Sequence, residues 1–179
     1  IQSLIQDAGR FGVHNIGLTK GGPIDSLAFK WANRLCNNQL SVAAIEITVG
    51  GLILAAQVKT TIAVTGANIP FMINGKYADI WQSHQIKPGD ILEFGYIKSG
   101  ARAYLAVANG FNMPKQFGSN ATVCREEIGG LNGHKLNKHD FLPCKNTDTK
   151  KTYVLYERYR PKYKSHAHLR CVLSYQCMH

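Results

Sequence analysis

Long apolar runs are missing from this 179-residue sequence. No stretch approaches the roughly 18 apolar residues that a membrane-spanning helix needs. The first residues also lack the charged, apolar and small-residue sections of a secretory signal. With 45% hydrophobic and 18% charged residues, the composition is that of a globular protein rather than a disordered or fibrous one. We therefore expect a cytoplasmic protein with no membrane association.

Cysteine pairs and nucleotide-binding motifs are missing too. The five cysteines include no C-x-x-C pair, so we expect reduced thiols and no metal site. His166 and His168 stand beside Cys171 and could clip a metal, but chance clustering in a polar tail is the preferred interpretation. The sequence has neither a P-loop nor a dinucleotide-binding glycine pattern. If ATP is used, we expect another subunit to bind at least part of it.

Acidic residues are scarce, with 11 Asp and Glu against 21 Lys and Arg and a formal net charge of +10. The excess is concentrated in residues 150–179, which hold seven basic residues and one acid, Glu157. Tyrosines interleave with these charges, a mixture that single-stranded nucleic acid could use for stacking and phosphate contact. Neither helical periodicity nor an RNA-binding motif accompanies it. We therefore predict a basic connector or edge strand at residues 147–179 and do not expect nucleic acid as a partner.

Strand patterns with turn residues between them fill most of residues 1–146. Residues 59–67 and 101–110 alternate apolar and polar or small side chains, the period of a half-buried strand. Asn74-Gly75 is typical of a type I′ hairpin turn, and Pro88-Gly89 of a type II turn. Several strands at this spacing indicate a mainly β, antiparallel barrel or sandwich.

Helical patterns are few. Asp25 precedes an apolar stripe that runs from Leu27 to Leu35 at helical spacing, which predicts an amphipathic helix capped by Asp25. A second short helix is predicted at residues 40–44, before a strand that contains Glu46.

A series of motifs in a fixed order carries a resemblance to a known family. The series is "IQDAGRFG", "GGPID", "AIE.T.GG", "TGA", "PGD.L..G", "R.YLAV", "GS.AT" and "GG..G", between residues 5 and 133. In this order the chain resembles the biotin-dependent carboxyltransferase family, also described as allophanate hydrolase subunit 2, whose bacterial members include subunits of 5-oxoprolinase. The resemblance covers residues 1–143. Residues 169–176 are similar to the opening strand of that family's second half.

The resemblance implies a fold, partners and two kinds of chemistry. The implied fold is a cyclophilin-like antiparallel β-barrel at residues 1–146. The implied activity is ATP-dependent hydrolysis of an amide or lactam together with other subunits of a 5-oxoprolinase-type complex. Two alternatives are carboxyl transfer from carboxybiotin on a separate carrier to a urea-like acceptor, and non-catalytic regulation of a kinase inhibitor.

Gly21 and Gly22 stand directly before the predicted helix. Glycines let main-chain N–H groups approach a ligand closely, and a helix N-terminus favours an anion. Gly21, Gly22 and Asp25 are therefore candidate contacts for a small anionic substrate. Alternatively, Asp25 occupies those N–H groups itself and the segment only begins the helix.

Asp7, Arg10 and Glu46 are the candidate charged groups. The guanidinium of Arg10 could bind a substrate carboxylate while Asp7 acts as an acid or base; alternatively, Asp7 and Arg10 pair with each other. Glu46 alternates with Ile45 and Ile47, so a buried face would leave its carboxylate hydrogen-bonded or with a raised pKa. We predict Asp7 and Glu46 as catalytic.

Thr65, Gly66 and Asn68 lie where a predicted strand runs out into a loop, a usual place for substrate contacts. These three residues and Arg10 complete the predicted substrate-binding set.

Overall fold

The fold is mainly β, as the sequence predicts. A computed structural model describes residues 2–148, 151–164, 166, 168 and 170–172. Within them the strands are β1 (Gln2–Gln6), β2 (Ala44–Thr48), β3 (Ile53–Ala55), β4 (Thr60–Asn68), β5 (Phe71–Ile73), β6 (Lys76–Tyr77), β7 (Ser83–Ile86), β8 (Ile91–Phe94) and β9 (Ser99–Val107). The helix α1 covers Ser26–Leu35, and single 3-10 turns lie at His14–Ile16 and Glu157–Tyr159.

Two antiparallel sheets enclose the main core. The first has the strand order β1-β2-β9-β4-β7 and the second β3-β8-β5-β6. Apolar side chains from both sheets meet between them, among them Ile45, Ile62, Phe71, Leu92 and Leu105. This architecture is consistent with the cyclophilin-like barrel that the resemblance implies.

The helix α1 covers the outer face of the first sheet. Its stripe of Ala28, Phe29, Ala32 and Leu35 packs on small side chains of β2, β4 and β9 and on Tyr104. For this reason β4 is buried on both faces at residues 60–67, and the prediction of a half-buried strand there is wrong. The alternation of side chains along β4 instead separates two buried environments: Ile62 and Val64 face the core between the sheets, and Ala63 faces α1.

Local turn chemistry follows the sequence closely, with one exception. Asn74 and Gly75 both have positive φ, of 54° and 72°, as the type I′ turn requires, and Gly89 has a φ of 89°. The second predicted helix, at residues 40–44, is wrong. Residues 40–42 form turns and bends, and β2 begins at Ala44.

The described part of residues 147–164 contacts the first sheet. The N–H of Ser83 in β7 donates to the carbonyl of Tyr153, and the N–H of Leu155 donates to the carbonyl of Trp81, both at 2.8 Å. The predicted opening strand of a second half, residues 169–176, lies largely outside the described residues. No helix among the described residues is long and apolar enough to cross a membrane.

Candidate functional site

The start of α1 is capped as predicted. Asp25 lies at the N-cap position, and its Oδ1 accepts a hydrogen bond of 3.0 Å from the N–H of Ala28. This bond satisfies one of the amide donors that a helix N-terminus leaves without an intrahelical partner.

Three main-chain amides before the helix, those of Gly22, Ile24 and Asp25, are bonded to the protein's own side chains. The N–H of Gly22 donates to Gln6 Oε1 at 3.1 Å, that of Ile24 to Glu46 Oε2 at 2.9 Å, and that of Asp25 to the Tyr104 hydroxyl at 2.8 Å. The expectation that these amides are free for an anionic ligand is therefore wrong. The segment binds an anion, but that anion is the Glu46 carboxylate. Contacts from Gly21 and Gly22 to a substrate stay a prediction.

Glu46 is buried, and it faces α1 as its alternation with Ile45 and Ile47 requires. Besides the amide of Ile24, its Oε2 accepts the hydroxyl of Tyr104 at 2.7 Å, and its Oε1 lies 3.5 Å from Arg102 Nε. Burial, and then the hydrogen bond to Glu46, raise the pKa of Tyr104 well above its usual range. Tyr104 is thus a neutral phenol that links Glu46 to the helix start.

Asp7 and Arg10 both bond to residues 116–121 rather than to each other. Asp7 accepts from the hydroxyl of Ser119 at 2.5 Å and from the N–H of Asn120 at 2.6 Å. Arg10 donates to the carbonyls of Gln116 and Ala121, at 3.3 and 2.6 Å. The two charged groups are therefore joined through one loop segment, and the alternative of a direct hydrogen-bonded pair is not what the structure shows.

Arg10 is enclosed by this loop. Its side chain is among the largest that are fully buried, at 1% exposure, and its Nη1 has no hydrogen-bond partner among the described residues. Desolvation lowers the pKa of Arg10, while the charges of Asp7 and Glu126 oppose that shift. In this conformation the guanidinium is closed to a substrate, and a role for Arg10 in binding stays a prediction.

The three predicted residues at the end of β4 differ in what they do. The Thr65 hydroxyl donates to the carbonyl of Ala28 at 2.7 Å and so attaches α1 to the sheet. Gly66 has a φ of 98° at an irregularity in the pairing with β9, where an added Cβ would lie 2.4 Å from the carbonyl oxygen of Arg102. Asn68 is exposed. Gly66 and Asn68, but not Thr65, line a pocket.

This pocket, called the tail pocket below, has a volume of about 350 Å³ and lies between the first sheet and residues 157–163. One wall holds Gly66, Asn68 and Ser99, and Trp81 lies beside them. The remaining lining comes mostly from the tail, namely Glu157, Arg160, Pro161, Lys162 and Tyr163, together with Ile80. Two basic residues against one acid give this lining a net positive charge.

Tyr163 joins the tail pocket to the helix start. Its hydroxyl donates to Asp25 Oδ2 at 2.6 Å, and burial, followed by this bond, raises the pKa of Tyr163 above its usual range. Trp81 adopts a φ of 66°, an uncommon conformation for a bulky side chain, while its N–H donates to the carbonyl of Val64. Through Tyr163, Asp25 is thus bonded to the lining of the tail pocket, to which Gly66 and Asn68 also belong. Glu46 is linked to Asp25 by the hydroxyl of Tyr104.

Sequence reasoning missed Arg102, Tyr104 and Tyr163 as members of this network. A signal existed for the first two, since alternation places Arg102 and Tyr104 on one face of β9, and Glu46 pairs with Tyr104 in the register. No comparable signal existed for Tyr163, whose contact with Asp25 spans 138 residues. Among the described residues, no group of three or more His, Cys, Asp or Glu could hold a metal ion.

A family model decides the family of this chain. The model described as "Carboxyltransferase domain, subdomain A and B" matches residues 16–179. The chain belongs to this family. As a carboxyltransferase-family chain, it is 36% identical over 145 residues to a 5-oxoprolinase subunit of Haemophilus influenzae, a match that covers 81% of this chain and 47% of that protein.

Fungal proteins of the same family are similar to it as well. The chain is 37% identical over 142 residues to the urea amidolyase of Saccharomyces cerevisiae, covering 78% of this chain and 8% of that protein. The crystal structure of the Kluyveromyces lactis urea carboxylase superposes with a TM-score of 0.77 at 36% identity, covering 79% of this chain and 13% of that one. The carboxyltransferase-family chain therefore spans about half the length of its bacterial relative and a small part of the fungal ones.

Proposed function

We propose that this chain works within a 5-oxoprolinase-type complex that hydrolyses a lactam or amide at the expense of ATP. The proposal is supported by the relatives that are named as 5-oxoprolinase subunits in Haemophilus influenzae and Escherichia coli. Because the chain spans about half of each relative, we assign to it the binding of the small anionic substrate rather than the whole reaction. The other subunits of the complex are its partners.

The tail pocket is the observation that carries this proposal. Its volume of about 350 Å³ lies at the lower end of the roughly 300–1,000 Å³ typical of small-molecule sites. Arg160 and Lys162 supply cationic groups for a carboxylate. The carboxylate of a lactam such as 5-oxoproline fits this combination of size and charge.

Two carboxylates hold the tail pocket in place. Asp25 accepts the hydroxyl of Tyr163 and so fixes the orientation of this pocket-lining phenol. Glu46 bonds Tyr104 and the amide of Ile24, and thereby fixes the segment that carries Asp25. We therefore propose Glu46 as a positioning residue, and Tyr163 as the residue that contacts the substrate.

We propose that the phosphates of ATP do not bind at the start of α1. A phosphate site of the helix-terminus kind needs free main-chain N–H groups. At the start of α1 the amides of Gly22, Ile24, Asp25 and Ala28 are all bonded to side chains of the protein. We therefore propose that the partner subunits bind ATP.

Reconstitution with the partner subunits tests the proposal. The chain is combined with those subunits, ATP and 5-oxoproline, and the formation of glutamate is measured. We expect glutamate only in the complete mixture, and its absence there would contradict the proposed function. Tyr163→Phe should raise KM about tenfold because the hydroxyl near the substrate is lost. Tyr159→Phe, at an exposed tyrosine outside the tail pocket, is the matched control and should leave KM unchanged.

Carboxyl transfer to a urea-like acceptor is the second candidate. It is favoured by the 37% identity to the Saccharomyces cerevisiae urea amidolyase. In this case biotin would arrive on a separate carrier protein. Incubating the chain with a carboxylated biotinyl carrier and urea tests this candidate: acceptor-dependent loss of the carboxyl group from the carrier supports transfer, and an unchanged carrier contradicts it.

A further inference from the structure

A second and larger space lies between the two sheets, away from the tail pocket. This inter-sheet cavity has a volume of about 970 Å³ and is lined by β3 and β8 on one side, by β4, β7 and β9 on the other, and by residues 135–142 at one end. None of the residues predicted as a site from the sequence lines it. Its volume lies within the range of small-molecule sites.

The walls of the inter-sheet cavity are mainly aliphatic. Leu54 and Leu92 contribute from the second sheet, Leu105 and Val107 from the first, and Leu142 from the end segment. An apolar ligand in this space would gain dispersion contacts with these side chains.

One polar group inside the lining has no partner. The hydroxyl of Ser3 is buried, with the residue at 2% exposure, and forms no hydrogen bond with any described residue. Ser3 lies on β1 and lines the inter-sheet cavity. A buried hydroxyl without a partner is unfavourable, so an oxygen acceptor in the cavity would satisfy it.

Cationic residues lie at the same end as this hydroxyl. The N–H of Leu136 donates to the carbonyl of Ser3 at 2.8 Å, which holds the segment with Lys135 beside Ser3. Lys135 and Lys138 both line the inter-sheet cavity. Asp140 lines this end as well and accepts the N–H of Asn137 at 2.7 Å, so two lysines stand against one carboxylate there. One end of the cavity thus offers a hydroxyl donor and positive charge, and the rest is aliphatic.

We propose that the inter-sheet cavity binds one medium-chain aliphatic carboxylate. Its carboxylate accepts the Ser3 hydroxyl and lies near Lys135, and its chain lies among Leu54, Leu92 and Leu105. This site is separate from the tail pocket, and its occupation does not depend on the proposed function.

Titration calorimetry of the full chain with sodium decanoate tests the site. We expect saturable binding of one decanoate per chain, about tenfold weaker binding of 1-decanol, which lacks the charge, and no saturable binding of butyrate, which lacks the chain. Absence of decanoate binding would overturn the proposal. Equal affinity for decanoate and 1-decanol would overturn the assignment of a carboxylate.

Variants locate the bound carboxylate. Ser3→Ala should weaken decanoate binding about tenfold, since a hydrogen bond to a charged acceptor is lost. Lys135→Gln, at an exposed position, should weaken it about threefold. Its matched control is Lys30→Gln on the exposed face of α1, which should change nothing. Unchanged affinity in both Ser3→Ala and Lys135→Gln would contradict the proposed orientation.

A bulky substitution tests where the aliphatic part of the bound decanoate lies. Leu54→Trp should fill the inter-sheet cavity and abolish decanoate binding, while Leu27→Trp, at an exposed leucine of α1, should bind as the unmodified protein does. Thermal unfolding confirms that both variants fold. Full decanoate affinity in a folded Leu54→Trp variant would overturn the proposal.

Discussion

Replacing Glu46 by alanine removes the shared acceptor of two donors, of which the Tyr104 hydroxyl is buried, and the partner of a cation. The N–H of Ile24 and the hydroxyl of Tyr104 both donate to Glu46 Oε2, at 2.9 and 2.7 Å, and Arg102 Nε lies 3.5 Å from Oε1. The side chain of Glu46 is 4% exposed, so water does not replace it readily. The segment that leads into α1 loses its attachment to the sheet at this point.

The expected loss of stability follows from these contacts. Each buried donor left without an acceptor costs about 1–3 kcal/mol. Breaking a fully buried ion pair costs about 3–5 kcal/mol, but the Arg102 side chain is 24% exposed and its share is reduced accordingly. We expect Glu46→Ala to lower the free energy of unfolding by about 3 kcal/mol. Glu46→Gln keeps a carbonyl acceptor and should cost about 1 kcal/mol.

Urea unfolding followed by circular dichroism measures this loss. Glu93→Ala is the matched control, because Glu93 also lies in a strand but its side chain makes no hydrogen bond or ion pair with any described residue. The control should stay within about 0.5 kcal/mol of the unmodified protein. If Glu46→Ala also stays within that range, the Glu46 network does not hold the start of the helix.

Three further predictions concern backbone strain, pH and thiol reactivity. Gly66→Ala should lower the free energy of unfolding by about 3 kcal/mol or more, because its Cβ would lie 2.4 Å from a carbonyl oxygen of β9. Its control is Gly75→Ala, at positive φ in open space, which should cost only about 1 kcal/mol. Equal losses in urea unfolding would contradict the close approach of β9 to Gly66. Hydrogen bonds lower the pKa of Asp90, the largest effect being that of the Asn74 side-chain amide. The ionised Asp90 therefore stabilises the fold above its unfolded pKa of about 3.9, and this stabilisation is lost as the pH falls through the folded pKa. Asp90→Asn should therefore be less stable than the unmodified protein at neutral pH, and the difference should shrink below about pH 4; a gap that does not change with pH would refute this. Burial raises the pKa of the Cys36 thiol, so a thiol reagent should label exposed Cys124 rapidly and Cys36 only after unfolding, as peptide mapping can show.

Local chemistry made the elements themselves predictable. Asp25 caps α1 through an interaction that spans three residues, and Asn74-Gly75 forms its turn from the φ preferences of two neighbours. The burial of Glu46 followed from a strand period of two. The false helix at residues 40–44 shows the limit of short patterns, since five residues are too few to distinguish a turn from the first turn of a helix.

The partners of the predicted charged residues depended on the fold. Asp7 accepts hydrogen bonds from Ser119 and Asn120, and Asp25 accepts one from Tyr163, and in each case more than 110 residues of sequence separate the partners. No periodicity carries such information. The expectation of free amides before α1 failed for the same reason. The side chains of Gln6 and Glu46, which accept hydrogen bonds from these amides, lie on β1 and β2 and not next to α1 in the sequence.

Substrate binding in the tail pocket is tested most directly by titrating the ¹⁵N-labelled chain with 5-oxoproline and following amide chemical shifts. We predict saturable shifts at Gly66, Asn68 and Ser99, which line the tail pocket, and their loss in Arg160→Ala. If these amides do not respond at saturating 5-oxoproline, the tail pocket does not bind this substrate and the proposed function is wrong.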